Sequence, residues 1–313
     1  MVPWHYVWAG LDFIVPDGDL PVLLDANKAS HMLWEYLLLY RSDLPFRILA
    51  ARLKGSASRP CFLLRRSDRP PGEPEDAAFV LSHVARHLDR PPHICYLESQ
   101  ANHGTTLLDA EGETVEPDVV FRWWYPLRSA FEHAGALVIN SNALWTIVRD
   151  KMRCYRALQG AAAFRVPESY AVDNREELAL VLSRNSAAFA DGYVVKPRIG
   201  WGGHRVQVCD GGDLSGEVGP HFMVSQRIRP ARDEWAPFWD VRAFVINGEF
   251  AGAVQYNSHR PVTNYHQGGL PTMPAPHVVE LVRQASLEAV ARIEKLASIC
   301  TVDDDDPVLD VTF

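Results

Sequence analysis

The 313 residues of this chain predict an α/β fold of two or three lobes, and three stretches carry that prediction. Between Cys61 and Ser141, short apolar strands alternate with a helical stretch, the pattern of a parallel sheet. From Tyr193 to Val208 the segment YVVKPRIGWGGHRVQV reads as strand, glycine-rich turn, strand. From Pro276 to Ser298, Val278, Val282, Ala285, Ala289, Ile293 and Leu296 recur at helical spacing and give one long helix an apolar stripe.

Taken in order, Trp4 to Val15 and Pro21 to Ala26 predict two strands joined by the turn Pro16-Asp17-Gly18-Asp19. Asp25 and Asn27 are two apart on a strand and share a face, and the hairpin can fold Asp12 against them. Such an oxygen cluster suits a hard cation such as Mg²⁺, and it equally describes solvated hairpin acids. Lys28 beside it either holds an anion or faces water. His31 to Leu53 reads as helical and then irregular, with Pro45 breaking the pattern and MLWEYLLLY packing into a core.

In the following lobe CFLLRR is a strand, Asp76 to Leu88 a helix, and strands follow at Ile94 to Leu97, Val119 to Trp124 and Ala136 to Ile139. Its loops offer Arg65, Arg66, Arg69, Glu73, Arg122 and Tyr125 to a substrate. Asn142 to Leu158 is expected to be one helix with Asn142 as N-cap. Lys151 falls inside that helix's apolar stripe, where it needs an anionic partner or must snorkel. A helix from about Glu176 to Arg184 precedes the glycine hairpin, in which a strand is expected from His204 to Val208. Glycines without Cβ let backbone amides close on an anion, and Lys196 adds charge beside them, so the hairpin reads as a phosphate clamp or as a plain flexible turn. Phe222 to Ile228 and Asp240 to Asn247 are strands, and Glu249 to Asn257 another. Asp240, Arg242 and Phe244 share one face, and Arg242 is expected to reach Asp240, a ligand, or both. RPVTNYHQGG, from Arg260 to Gly269, is a polar loop suited to closing over a site, the run Asp303 to Asp306 is a solvated loop, and VLDVTF is a last strand.

Composition narrows the classes. A net charge of −8 disfavours a nucleic-acid partner. No apolar run of the length that crosses a membrane and no signal peptide is found, and five scattered cysteines without CxxC spacing are expected to be reduced thiols in a cytoplasmic protein. Only 5 lysines stand against 26 arginines, so a lysine in a chemically meaningful place stands out.

The succession INSN…DKMRCYRAL…FRVPES, YVVKPRIGWGGHRV, MVSQRI, DVRAFVINGEFAGAV and TNYHQGG resembles the ATP-grasp superfamily. In that family a metal-binding strand pair normally ends the order, whereas here AGLDFIVPDGDLPVLLDAN supplies it at residues 9 to 27. The chain therefore resembles a circularly permuted ATP-grasp protein. Members similar to the glutathionylspermidine synthetase group also place the metal motif first, and Tyr125-Pro126 echoes their YPW-like motif, though no amidase domain is present.

The resemblance implies an ATP-grasp fold divided into an N-terminal metal hairpin (1–30), a preceding α/β lobe (31–141), a nucleotide lid (142–222) and a core subdomain (223–313). It implies that Lys151 and Lys196 hold the α and β phosphates of ATP beneath a lid of Gly200, Gly202, Gly203 and His204. Gln226, Arg227 and Ile228 would read adenine, and Asp233 or Glu234 the ribose. Arg242 would face the transferred phosphate, Asn264 would close the site, and Asp12, Asp25 and Asn27 would hold Mg²⁺, two ions being expected. Asp25 replaces the family's usual glutamate and is one methylene shorter. The implied activity joins a small-molecule carboxylate to an amine through an acylphosphate, releasing ADP and phosphate, in a protein that engages neither nucleic acid nor membrane and whose oligomeric state is open, a homodimer being one option. A phosphotransferase or regulatory ATP-binding protein of the same fold, and a scaffold that binds no nucleotide, are the rival expectations.

Overall fold

A computed structural model describes residues 5–27, 33–54, 59–64, 76–96, 104–122, 127, 130–200, 203–210, 214, 216–233, 236–263 and 268–300. The amino-terminal hairpin forms as expected, with β1 (Trp8–Ile14) antiparallel to β2 (Val22–Asn27). Two helices follow where one was expected: α1 (Leu33–Tyr40) and α2 (Leu44–Lys54). Pro45 does not lead into an irregular stretch. It is the second residue of α2, where the missing N–H costs no helical bond.

The expected parallel sheet is built from β3 (Pro60–Leu64), β4 (His93–Tyr96), β7 (Val119–Arg122) and β8 (Leu137–Ile139) in the order β4-β3-β7-β8, with α3 (Asp76–Ala85) and α4 (Ala130–His133) among its connections. A small antiparallel pair, β5 (Leu107–Leu108) and β6 (Thr114–Val115), had no signal in the sequence because two-residue strands show no alternation.

The predicted helix from Asn142 to Leu158 is in fact two, α5 (Asn142–Val148) and α6 (Lys151–Leu158). Ser141, not Asn142, is the N-cap, its Oγ accepting from the Leu144 amide at 3.2 Å. Asp150 caps α6 through the amides of Met152 and Arg153, so the chain restarts there and Lys151 becomes the first helical residue.

β9 (Ser169–Val172), α7 (Arg175–Arg184), β10 (Tyr193–Pro197), β11 (Gln207–Cys209) and β12 (Phe222–Gln226) complete a second sheet, order β11-β10-β12-β9, all antiparallel. The return strand of the glycine hairpin starts at Gln207 rather than His204, since Gly203 and Arg205 take left-handed φ of 71° and 58° to make the turn.

Finally β13 (Phe238–Ile246), β14 (Glu249–Ser258) and β15 (Leu270–Thr272) join the amino-terminal hairpin in one five-stranded sheet, order β15-β14-β13-β1-β2, backed by α8 (Pro276–Ala297). β1 lies directly beside β13, pairing Asp12 with Arg242. Strand alternation then divides the sheet. Leu11, Phe13, Val241, Ala243 and Val245 turn to α5, α6 and α8, while Trp8, Phe244, Ile246 and Val254 turn to α1, α2 and the parallel sheet. Asp12 and Arg242 stand on this second face, beyond the part the helices cover.

A bulge in β14 allows α1 to dock. The register of β13 and β14 shifts after Phe244, and Gly252 opposite takes φ 144°. A Cβ there would meet the Tyr36 ring at 2.5 Å, and the Tyr36 hydroxyl donates to Ala251 O at 2.6 Å. Gly252→Ala is expected to cost about 1–3 kcal/mol of stability, measurable by urea unfolding.

Candidate active site

The five-stranded and four-stranded antiparallel sheets enclose a cavity of about 230 Å³. Asp12, Asp25, Asn27, Asp240, Arg242 and Tyr256 line one wall; Lys151, Lys196, Gly200, Gly203 and His204 line the other. Gln226, Arg227 and Ile228 run along its edge. Asp233 is exposed and not part of the lining. Gly202, Glu234 and Asn264 lie outside the described residues, as do Lys28, Arg65, Arg66, Arg69, Glu73, Tyr125, the acidic run and the last expected strand.

Asp12 and Arg242 face each other across adjacent strands in a two-pronged pair, Nε to Oδ1 at 2.6 Å and Nη2 to Oδ2 at 2.8 Å. Arg242 was expected to reach Asp240, a ligand, or both; its guanidinium bonds to described residues go instead to Asp12, the in-register neighbour on β1, and Asp240 accepts from Thr263 Oγ1. Burial alone would lower the Arg242 pKa, but the Asp12 carboxylate more than offsets it and keeps the guanidinium charged. Asn27 donates to Gly10 O at 3.1 Å and to Asp12 Oδ2 at 3.3 Å, which aligns the β2 side of this wall. Asp12 and Asp25 stay paired despite a register shift beside them, because Leu24 is the extra residue between Asp25 and Leu23.

The two lysines are brought together by one joint. The Lys151 amide donates to Arg198 O at 3.0 Å, and the Arg198 guanidinium pairs with Asp150, so the start of α6 is fastened to the end of β10. Burial would raise the Asp150 pKa, yet Arg198 and the helix amides hold it below the ordinary value. Lys151 Nζ reaches Gly200 O at 3.0 Å and Asp25 Oδ2 at 3.2 Å, linking the two walls. Lys196, 8% exposed, donates to Tyr155 Oη at 3.0 Å, and that hydroxyl donates to Leu24 O at 2.6 Å. Burial, with the Lys151 charge adding to it, pushes the Lys196 pKa down to about 8, while Asp25 opposes the change. Asp240 moves the other way: burial and then Asp12 press its pKa up to about 7, against Thr263 and Arg242. At the far edge Arg227 pairs with Asp210 of the segment after β11.

Tyr155, Asp150, Asp240, Tyr256 and Thr263 were not singled out as site residues from the sequence. Tyr155 sits four residues after Lys151 on one helix face, and that spacing was a usable signal. The others depend on contacts between segments far apart in the chain. Arg122, expected on a loop, is buried, bonds Asn140 O and Asn142 Oδ1 and packs over Trp145.

Against solved structures, the chain matches a Methylobacillus flagellatus KT protein assigned as a gamma-glutamylcysteine synthetase, with TM-score 0.61 and 12% identity over 95% of this chain and 89% of that one. The fold is shared. It is a mixed α/β fold, the class that the sequence predicted. D-cycloserine synthetase DcsG (TM-score 0.49, 15% identity, 77% and 82% covered) and D-alanyl-alanine synthetase A of Vibrio cholerae O1 biovar eltor str. N16961 (0.48, 13%, 75% and 81%) also match. No protein-family model and no curated protein matches the sequence. Among the described residues no helix is long and apolar enough to cross a membrane, and all five cysteines carry free thiols.

Proposed function

We propose that the chain is an ATP-dependent carboxylate–amine ligase of circularly permuted ATP-grasp type, acting on small molecules through an acylphosphate. The observation that carries this reading is the cavity itself. It sets two lysines, 41 and 49 residues from the atoms they bond, opposite an Asp-Asp-Asn-Arg wall contributed by both ends of the chain.

The residues fit the charges of a magnesium nucleotide. Lys196 is a buried cation whose one described hydrogen bond goes to a neutral hydroxyl, so a phosphate oxygen would relieve its desolvation. Asn27 commits its Nδ2, which leaves Oδ1 as an acceptor, and Asp25 gives one oxygen to Lys151 and keeps the other. Among the described residues no cluster of three His, Cys, Asp or Glu could hold a metal ion, so a cation here draws on Asn27 and on substrate oxygens as well. Mg²⁺, when bound, would neutralise β and γ phosphate charge as a Lewis acid. Lys151 and Lys196 would hold the α and β phosphates, and Gln226 to Ile228 the base, with Asp233 or Glu234 at the ribose. Arg242, held in orientation by Asp12, would stabilise the γ-phosphoryl group as it passes to a substrate carboxylate. Gly200 to His204, together with Asn264, would exclude water from the acylphosphate until an amine attacks.

The test is ATP-dependent release of ADP and phosphate with pooled carboxylic acids and amines, and formation of an adduct. Lys196→Ala and Asn27→Ala are expected to abolish it, and wild-type turnover in both would refute the assignment. ATP with Mg²⁺ should also stabilise the folded chain by about 2.7 kcal/mol at a hundred times Kd. Stabilisation without turnover would favour the regulatory alternative.

A further inference from the structure

The cavity has an end that phosphate binding leaves unused. Asp240 precedes Arg242 by two residues on the same face of β13, about 7 Å along the strand. Its in-register partner on β14 is Tyr256, whose ring shares that face. Tyr256 is 3% exposed and lines the cavity, yet its hydroxyl makes no hydrogen bond among the described residues. A buried hydroxyl without a partner is costly, and a donor brought beside Asp240 would relieve that cost. Asp240 accepts from Thr263 Oγ1 through Oδ2 and has no other hydrogen bond among the described residues, so Oδ1 is available on the same wall.

The charge at this end is the reverse of that at the lysine end. Glu35, Asp12 and Asp240 all act on Tyr256 as negative charges, and the cation that opposes them, Arg242, is bonded to Asp12. The ligand suited to an acceptor-rich, negative recess is a compact cation with several N–H donors. We propose that Asp240 and Tyr256 form the subsite for the protonated primary amino group of the acceptor substrate, an inference that rests on the ligase reading. The spacing suits that role. Asp240 and Arg242 stand two residues apart on one face of β13, so an amine held at Asp240 and an acylphosphate held at Arg242 would be neighbours; the ammonium would first give a proton to the Asp240 carboxylate, which frees the lone pair that attacks as phosphate leaves.

The subsite can be tested by titrating ethylammonium chloride into the full chain with Mg²⁺ and a non-hydrolysable ATP analogue present, at constant ionic strength. Tetramethylammonium, which has no N–H, and propionate, which has the opposite charge, are the controls. Ethylammonium is expected to bind at least about tenfold more tightly than either. Asp240→Asn is expected to weaken it about tenfold and Tyr256→Phe several-fold, and the stabilisation each variant gains from the nucleotide analogue checks that it is folded. Tyr256→Phe removes one atom and carries the test alone if Asp240→Asn does not fold. Equal binding of the three probes, or ethylammonium binding unchanged by either variant, overturns the proposal. If the analogue does not stabilise the wild-type chain, the nucleotide reading fails instead, and ethylammonium alone still reports on the subsite.

Discussion

Asp12→Ala is expected to destabilise the folded chain by about 3 kcal/mol and to abolish ATP-dependent turnover. The side chains of Asp12 and Arg242 are 17% and 12% exposed, so deleting the carboxylate removes two charge-assisted bonds from a guanidinium in a poorly hydrated place. That exposure keeps the figure at the low end for buried pairs. The cost comes from a buried charge that loses its anionic counterpart rather than from the strength of the pair, and this is separable by experiment. A double variant, Asp12→Leu with Arg242→Met, removes both charges and should recover most of the lost stability while staying inactive. Urea unfolding of the single and double variants measures both quantities. A loss of under about 1 kcal/mol in Asp12→Ala would show that Arg242 finds another partner or water.

Lys196→Met is expected to raise stability and to lower activity. Lys196 is buried against a hydroxyl, and its pKa falls from 10.5 in the unfolded chain to about 8 in the fold. Below pH 8 both states hold the proton, and the folded state carries the full penalty of a buried charge, up to about 3 kcal/mol. Between about pH 8 and 10.5 the unfolded chain binds the proton and the folded chain does not, so this group makes stability rise with pH across that window. Methionine removes the charge, so the free protein should gain stability at pH 7 and lose that part of the rise. Turnover should fall about 10²- to 10³-fold, the scale for removing one preorganised positive group from a phosphoryl-transfer site. Nucleotide affinity in the wild type should weaken above pH 8, where Lys196 gives up its charge. Calorimetric titrations at pH 7 and 9 check this, and an unchanged affinity would mean that Lys196 does not meet the phosphates.

Much of this was legible in one dimension. The alternation in DFIV, LLDAN and DVRAFVIN put Asp12, Asp25, Asn27 and Arg242 on defined faces of strands, because strand period follows from backbone geometry whatever the strand packs against. The stripe of α8 did the same for the opposite side of the sheet. The scarcity of lysine made Lys151 and Lys196 conspicuous, and both line the cavity. Boundaries were less legible. Asp150 interrupts the apolar stripe of α5 and α6 without changing its spacing, so the periodic pattern runs through a break that capping enforces.

By itself, then, the sequence determined which side chains share a face and which segments are strand or helix, since those depend on neighbours a few residues away. Only the tertiary structure decided which face meets which. Arg242 could have turned to Asp240 two residues before it, but the register of β1 against β13 sets Asp12 directly opposite, where two bonds form at once. Lys196 could have met solvent, but it is buried and bonded to Tyr155, whose hydroxyl is held by Leu24 O. Pairings between the first thirty residues and positions more than two hundred further on have no local signature, because they are selected by the packing of whole sheets.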